Sequence, residues 1–255
     1  MKTQTKTIVF IHGLFMNPKS WQPWMDFFKL KGYSCFAPAY PYHEREPSYL
    51  REHIESGLAN LTFKQVIASL VAFIDTLPEK PILVGHSMGG LAVQKLIQDQ
   101  KGTAGVCIDS APPKGIFSFK WSFLKANLPV INPFKGNSVF VPSVEWFHNS
   151  FCNEMTFDET HTVYDQYVVP ESRNIPRSST GNDGKIDFSR SHPPLLFIAG
   201  EKDTIVPSSL NMKNFLAYKD RGSKKDFIEF KGRTHYICGQ ENWEEVAGYI
   251  ADWIR

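Results

Sequence analysis

Three observations predict an α/β protein with a mostly parallel sheet of about six strands flanked by helices and an inserted, aromatic-rich cap. Short apolar, β-branched runs alternate with helical patterns along the chain. The strand runs lack a clean in–out alternation, which indicates a sheet covered on both faces. The alternation then stops between residues 112 and 193, where aromatic residues concentrate.

Ile8-Val9-Phe10-Ile11 reads as the first strand, ending at His12-Gly13. Residues 18–30 read as a helix, with Trp21, Trp24, Met25 and Phe28 on one face and Gly32 as its stop. Residues 33–37 form the second strand. Thr62 can cap a helix running to Leu77, because Phe63, Val66, Ile67, Leu70, Val71 and Ile74 recur at helical spacing. A buried strand at 81–85 leads into a helix at 88–100, and strands follow at 104–109 and 194–200. A helix at 208–219, a last strand at 226–231 and a last helix at 242–254 complete the pattern. Strands alternating with helices imply right-handed crossovers.

Between Pro112 and Pro170 there are twelve aromatics, Trp121, Phe123, Trp146 and Tyr164 among them, a density above the chain's 14%. An apolar insertion between two sheet strands must cover something. Residues 1–111 and 194–255 are therefore expected to form the sheet domain and 112–193 a cap over it. Residues 172–190 turn polar and read as an exposed return loop.

Composition excludes several classes. With 42% apolar residues the chain can offset its ordering entropy, so disorder is excluded. The charge of 28 − 26 = +2 gives no footprint for nucleic acid or an acidic membrane. No apolar run reaches the roughly 18 residues of a transmembrane segment. The cysteines, Cys35, Cys107, Cys152 and Cys238, lack metal-ligand spacing and do not suggest a disulfide framework. The apolar run after the first residues is too short for a secretory signal, so a cytoplasmic location is expected. Oligomeric state is not legible.

The chemistry concentrates in Gly85-His86-Ser87-Met88-Gly89-Gly90, which follows a strand and precedes a helix. This is a G-x-S-x-G turn in the context that gives it meaning. The turn is tight enough to exclude neighbouring side chains, and it holds Ser87 at its apex in a strained conformation. The helix N-terminus behind it offers an N–H to a developing oxyanion. A serine hydroxyl needs a base. Of eight histidines, His235 lies in Gly232-Arg233-Thr234-His235, just after the last strand, where parallel sheets place their chemistry. The base needs an orienting carboxylate. Asp203 fits best, following the strand at 194–200, with Asp109 and Glu201 as competitors.

The order Ser87, Asp203, His235 on one alternating chain resembles the α/β-hydrolase family. His12-Gly13-Leu14-Phe15, the turn at 85–90, Gly-x-x-Asp-x-x-Val-Pro at 200–207 and Gly-x-x-His at 232–235 carry the likeness over nearly the whole chain. The resemblance implies a catalytic triad and an oxyanion hole formed by the N–H groups of Met88 and Leu14, with Phe15 as the alternative to Leu14. His12 and His86 would support the turns. Only about seven residues precede the first strand, where relatives usually carry a hairpin, so six strands are expected rather than eight. The loop at 38–45 lacks the family's Asp-x-x-Gly-x-Gly pattern, and Tyr40, Tyr42 and His43 there are either substrate contacts or simple packing. Phe15, Tyr42, Trp121 and Tyr164 are the candidate substrate-binding side chains.

These features imply a serine ester hydrolase acting on apolar, small-to-medium acyl or aryl esters through an acyl-enzyme on Ser87. Eight basic against eight acidic residues from Ala111 to Pro193 do not indicate a charged substrate. Serine disfavours the dehalogenase and epoxide hydrolase chemistry of relatives that use an aspartate there. Lactonase, thioesterase, amidase, perhydrolase, carbon–carbon hydrolase and hydroxynitrile lyase activities stay open. So does a slow-turnover ligand receptor; an intact triad argues against an inert scaffold. No cofactor or metal is implied, because neither His-x-x-x-His nor a phosphate loop occurs.

Overall fold

The structure, a computed structural model, describes residues 5–255. The expected absence of an export signal rests partly on residues 1–4, which lie outside the described residues. The sheet domain begins with β1 (Thr7–Ile11), α1 (Gln22–Leu30), β2 (Ser34–Phe36), α2 (Pro47–Glu52), α3 (Phe63–Ile74), β3 (Ile82–His86), α4 (Met88–Gln98) and β4 (Ala104–Ile108). The segment that follows holds α5 (Trp121–Ile131), β5 (Val139–Phe140), α6 (Val144–Ser150), α7 (Phe157–Tyr167), β6 (Glu171–Ser172) and α8 (Asn174–Ser179). The chain then returns through β7 (Leu195–Gly200), α9 (Ser208–Ala217), β8 (Lys225–Phe230) and α10 (Glu244–Trp253). Six strands form one sheet in the order β2-β1-β3-β4-β7-β8, and every neighbouring pair is parallel.

Each central strand feeds two cores. Val9, Ile11, Leu83, Cys107 and Phe197 face α3, α4 and α9. Ile8, Phe10, Ile82, Val84, Val106 and Ile198 face α1 and α10. Both sets are fully buried, so the period-2 alternation is of partner rather than polarity. Local signals act as expected: Thr62 and Gln65 form a reciprocal capping box at α3, and Gly32 ends the first helical stretch at φ 84°. The stretch expected as one helix from residue 18 starts as a 3₁₀ turn at Pro18–Trp21, capped by Asn17. The six-residue α2 was not anticipated; its sequence signal is Pro47 at the first helical position. All four cysteines are free thiols, and no helix among the described residues is long and apolar enough to cross a membrane.

The polar stretch at 172–190 departs from the expected exposed loop in its first half, whereas Thr180, Asn182, Lys185, Asp187, Ser189 and Arg190 are exposed. Ile175, Pro176 and Ser179 are buried in that first half. Two arginines there satisfy backbone carbonyls. Arg173 donates to Pro129 and Val130, and Arg177 to Ile131 and Asn132, at the C-terminal end of α5. Those carbonyls have no partner within their own helix, and the positive charges suit that end of its dipole.

Two of the contacts that tie this segment to the sheet domain involve charged side chains. Arg51 of α2 donates to the carbonyls of Tyr164, Asp165 and Val168 at the end of α7. His43, after β2, lies 3.2 Å from the Glu171 carboxylate of β6, with both side chains buried. Burial disfavours the His43 imidazolium, but Glu171 and the Pro41 carbonyl outweigh it, so the pKa rises above 6.5. The pair's contribution is therefore complete below pH 6.5 and is lost as pH rises through the raised value. Glu171→Gln should cost about 3 kcal/mol of unfolding free energy at mildly acidic pH. That penalty should shrink at alkaline pH, as read by urea denaturation across a pH series.

Candidate active site

Ser87 joins β3 to α4 with φ 56° and ψ −118°, a left-handed conformation that side chains rarely adopt. Flanking glycines make it possible. A Cβ on Gly85 would lie 2.2 Å from the Gly89 carbonyl oxygen, and one on Gly89 would lie 2.2 Å from that of Ile11. Across the turn, a Cβ on Gly13 would approach the Ser87 Cβ to 2.8 Å.

Two loops at the C-terminal edge of the sheet complete the set. The His235 Nε2 lies 3.0 Å from the Ser87 Oγ, and its Nδ1 lies 2.7 Å from the Asp203 Oδ2. The other Asp203 oxygen accepts the N–H groups of Ile205 and Val206, both at 2.8 Å. Burial pushes the His235 imidazole down from 6.5 to about 3, which keeps it neutral and able to accept a proton. The His86 imidazole, also held neutral by burial, donates from Nε2 to the His235 carbonyl at 2.8 Å. His12 braces the facing loop: its Nδ1 donates to Gly13 O, and its Nε2 accepts from Tyr40 N.

Asp109, the competing acid, is fully buried at the end of β4 with φ 42°. One of its oxygens accepts from Gly200 N at 2.8 Å. Burial and the adjacent Asp203 carboxylate push its pKa well above the usual range. Burial raises Asp203 as well, but two backbone donors oppose that rise, so Asp109 is the partner that keeps the proton. Like charges in contact cannot both ionise. Asp109 thus stands beside Asp203 as a neutral acid rather than standing in for it. His86, Asp109 and His235 each bring one ligand-type atom within 4.8 Å of the others. Both His235 nitrogens are already engaged by Ser87 and Asp203, which leaves none for a cation.

Ser87 and His235 open on an apolar cavity of about 80 Å³. Leu14, Phe15 and Met88 line it from the sheet domain, and Phe123, Asn127, Trp146, Phe151 and Pro176 from residues 112–193. The N–H groups of Leu14, Phe15 and Met88 have no hydrogen-bond partner among the described residues. Of the four candidate substrate contacts only Phe15 lines this cavity. Tyr42 packs against Gly57, and the Tyr164 hydroxyl donates to the Pro142 carbonyl. Trp121 is 74% exposed on the outer face of α5. Tyr40 and His43 are buried, so the 38–45 loop is packing. The missed lining residues Phe123 and Asn127 carried a signal: they are four apart in α5, facing away from Trp121.

The protonation of Asp109 can be tested by shape. Asp109→Asn can still accept from Gly200 N and donate toward Asp203, and should change unfolding free energy by less than about 1 kcal/mol. Asp109→Ala leaves the Gly200 N–H unpaired and should cost about 1–3 kcal/mol. Denaturant unfolding of the two variants reads the difference.

The alpha/beta hydrolase family model matches residues 8–249. No curated protein sequence matches the chain. Among solved structures, the chain is similar to an extracellular alpha/beta-hydrolase from a Paenibacillus species, said to share structural and functional homology with tobacco salicylic acid binding protein 2. Identity there is 21%, over 96% of this chain and 98% of that one, with a TM-score of 0.72. It is also similar to Paleococcus ferrophilus monoacylglycerol lipase, at 20% identity over 99% and 96% of the two chains and a TM-score of 0.70. A pyrethroid hydrolase from Sphingobium faniae is 15% identical over 98% of each chain, with a TM-score of 0.73. Likeness at these identities speaks for the fold, whereas the family match spans β1 to α10. With that match and a parallel six-stranded sheet carrying a serine turn, this chain belongs to the alpha/beta hydrolase family.

Proposed function

We propose that the protein is a serine esterase acting on small, neutral, apolar esters, with residues 112–193 as a cap over the site. One observation carries the reading: an unbroken Ser87–His235–Asp203 chain of contacts opens into an apolar cavity. Neutral His235 takes the Ser87 proton as Oγ attacks the ester carbonyl. Asp203 stabilises the imidazolium that forms, while two backbone N–H groups hold Asp203 in place. The N–H groups of Met88 and Leu14, with Phe15 as the alternative, are the candidate donors to the tetrahedral oxyanion. His235 then returns its proton to the leaving alcohol, and the C–O bond breaks. In the second half-reaction His235 deprotonates water, which attacks the acyl-enzyme and releases the acid and Ser87.

The site's burial favours a neutral ligand, since a desolvated charge would find no counter-charge among the apolar lining residues. Cavity size favours a short acyl group: about 80 Å³ is roughly half of a dry cavity that accepts benzene. The esterase and lipase neighbours are compatible with this class, and the free thiols with a cytoplasmic location. The enclosure of Ser87, 7% exposed, also suits a second reading as a slow-turnover ligand receptor.

Ser87→Ala and Asp203→Asn should each lower kcat/KM on p-nitrophenyl butyrate by about 10⁴-fold. Asp109→Asn should stay within about 10-fold of the parent. Retained turnover in Ser87→Ala would overturn the mechanism. In a chain-length series, acetate and butyrate esters should exceed the dodecanoate by more than about 10-fold in kcat/KM. Stoichiometric fluorophosphonate labelling of Ser87 with only a single slow turnover of every ester would favour the receptor.

A further inference from the structure

The balance of eight basic and eight acidic residues in the inserted segment conceals a segregation. Residues 110–144 contain Lys114, Lys120, Lys125 and Lys135 and no carboxylate. None of these four lysines makes an ion pair among the described residues. The same stretch holds the densest group of exposed apolar side chains. Phe119 is 80% exposed, Trp121 74% and Leu128 56%. Phe117 is exposed too and packs edge-on to Phe119, at 4.9 Å between ring centroids.

The helix geometry makes these positions one surface. On α5, Trp121, Lys125 and Leu128 fall at i, i+4 and i+7, which is one face. Phe123, Asn127 and Val130 occupy the opposite face and line the cavity. The outward face therefore has no partner, although its inward face is fully used. A contiguous exposed apolar patch normally marks an interaction surface. Aromatics beside lysines whose long stems can lift their charges suit a water–lipid boundary. A protein partner would need to bring its own carboxylates to this face. An anionic bilayer supplies both an apolar layer and a negative surface at once.

We propose that the face formed by Phe117–Trp121 and the outer side of α5 docks on bilayers carrying anionic headgroups, with the aromatic side chains inserted at the interface and Lys120 and Lys125 over the phosphates. The net charge of +2 excluded such a surface for the chain as a whole. Its local distribution restores one. This inference does not depend on the ester-hydrolase reading, since docking is measured without turnover.

The test is co-sedimentation of the full chain with vesicles of phosphatidylcholine alone or mixed with phosphatidylglycerol. Binding should be at least about 10-fold stronger on the mixed vesicles and should fall by a similar factor as NaCl rises from about 0.05 M to about 0.5 M. Phe119→Ser with Leu128→Ser, and separately Lys120→Gln with Lys125→Gln, should each weaken it at least about 5-fold with an unchanged thermal midpoint. Both pairs lie on the surface, so the fold is expected to persist. Equal binding to both vesicle types, no binding to either, or full binding by the folded variants would overturn the proposal. A dimer that the Phe119→Ser, Leu128→Ser pair dissociates, with no vesicle binding, would assign the face to self-association instead.

Discussion

The site depends on the backbone of Ser87. A non-glycine residue held at positive φ costs about 1–3 kcal/mol and persists only where its surroundings over-determine it. Here both of its peptide groups are tied down. The Ser87 N–H donates to Ile108 O, and its carbonyl accepts from Gly90, Leu91 and Ala111. Two of those partners belong to β4 and the residues just after it, so the β3–β4 register, which sets His86 opposite Ile108, also sets Ser87. The glycines on either side are what allow strand, turn and neighbouring loop to approach this closely. Mispairing the central strands by one residue would carry the hydroxyl to the wrong face of the sheet.

Burial then decides which groups carry charge. His12, His86 and His235 all lose affinity for protons in their apolar surroundings. Two carboxyl groups in the same region can hold only one negative charge between them. That charge belongs on Asp203, where two backbone N–H groups and the His235 ring meet it. The site therefore has a neutral His235, a single anion on Asp203 and a neutral acid behind it. Any positive charge that develops on His235 is matched by Asp203 alone. Low dielectric strengthens that pairing and penalises any other ion in the cavity.

Much of this was legible in the sequence because it follows from short-range rules. Strand runs, the Thr62 cap and the glycine turn each depend on residues close together in the chain, and Ser87, Asp203 and His235 each stand at a strand end. What stayed hidden depends on distant partners. Arg173 and Arg177 looked like solvated charges, but they serve carbonyls at the end of α5, more than forty positions away in sequence. His43 could be read as substrate contact or packing, but not as the partner of Glu171 from the insertion. Trp121 counted toward an aromatic lining, yet helical phase turns it outward while Phe123 turns inward. Composition alone cannot assign a face; the phase of the helix and the position of its neighbour do.

The inserted segment holds the same loops that carry the site. Phe151 O accepts from Tyr236 N beside His235, and Ser150 O accepts from the Thr204 hydroxyl beside Asp203. Asn127 donates to Ile205 O, and Val169 N donates to Phe15 O. Each loop's geometry is thus shared between the sheet and the insertion, and removing the insertion would leave loop peptide groups unpaired as well as opening the cavity. The two faces of α5 stand under different constraints as a result. Its inner face is fixed by fit to the cavity and by the Asn127 contact, where a change of one methylene is felt. Its outer face meets no protein atom that dictates its residues, yet it carries tryptophan, leucine and lysine where polar residues would serve solubility better. The aromatic and aliphatic surface there stays in contact with water, at a cost that burial against an apolar medium would relieve, while the lysine stems can keep their charges hydrated. The two faces of one helix are thus set by different surroundings, the inner by packing against the cavity and the outer by whatever medium it meets.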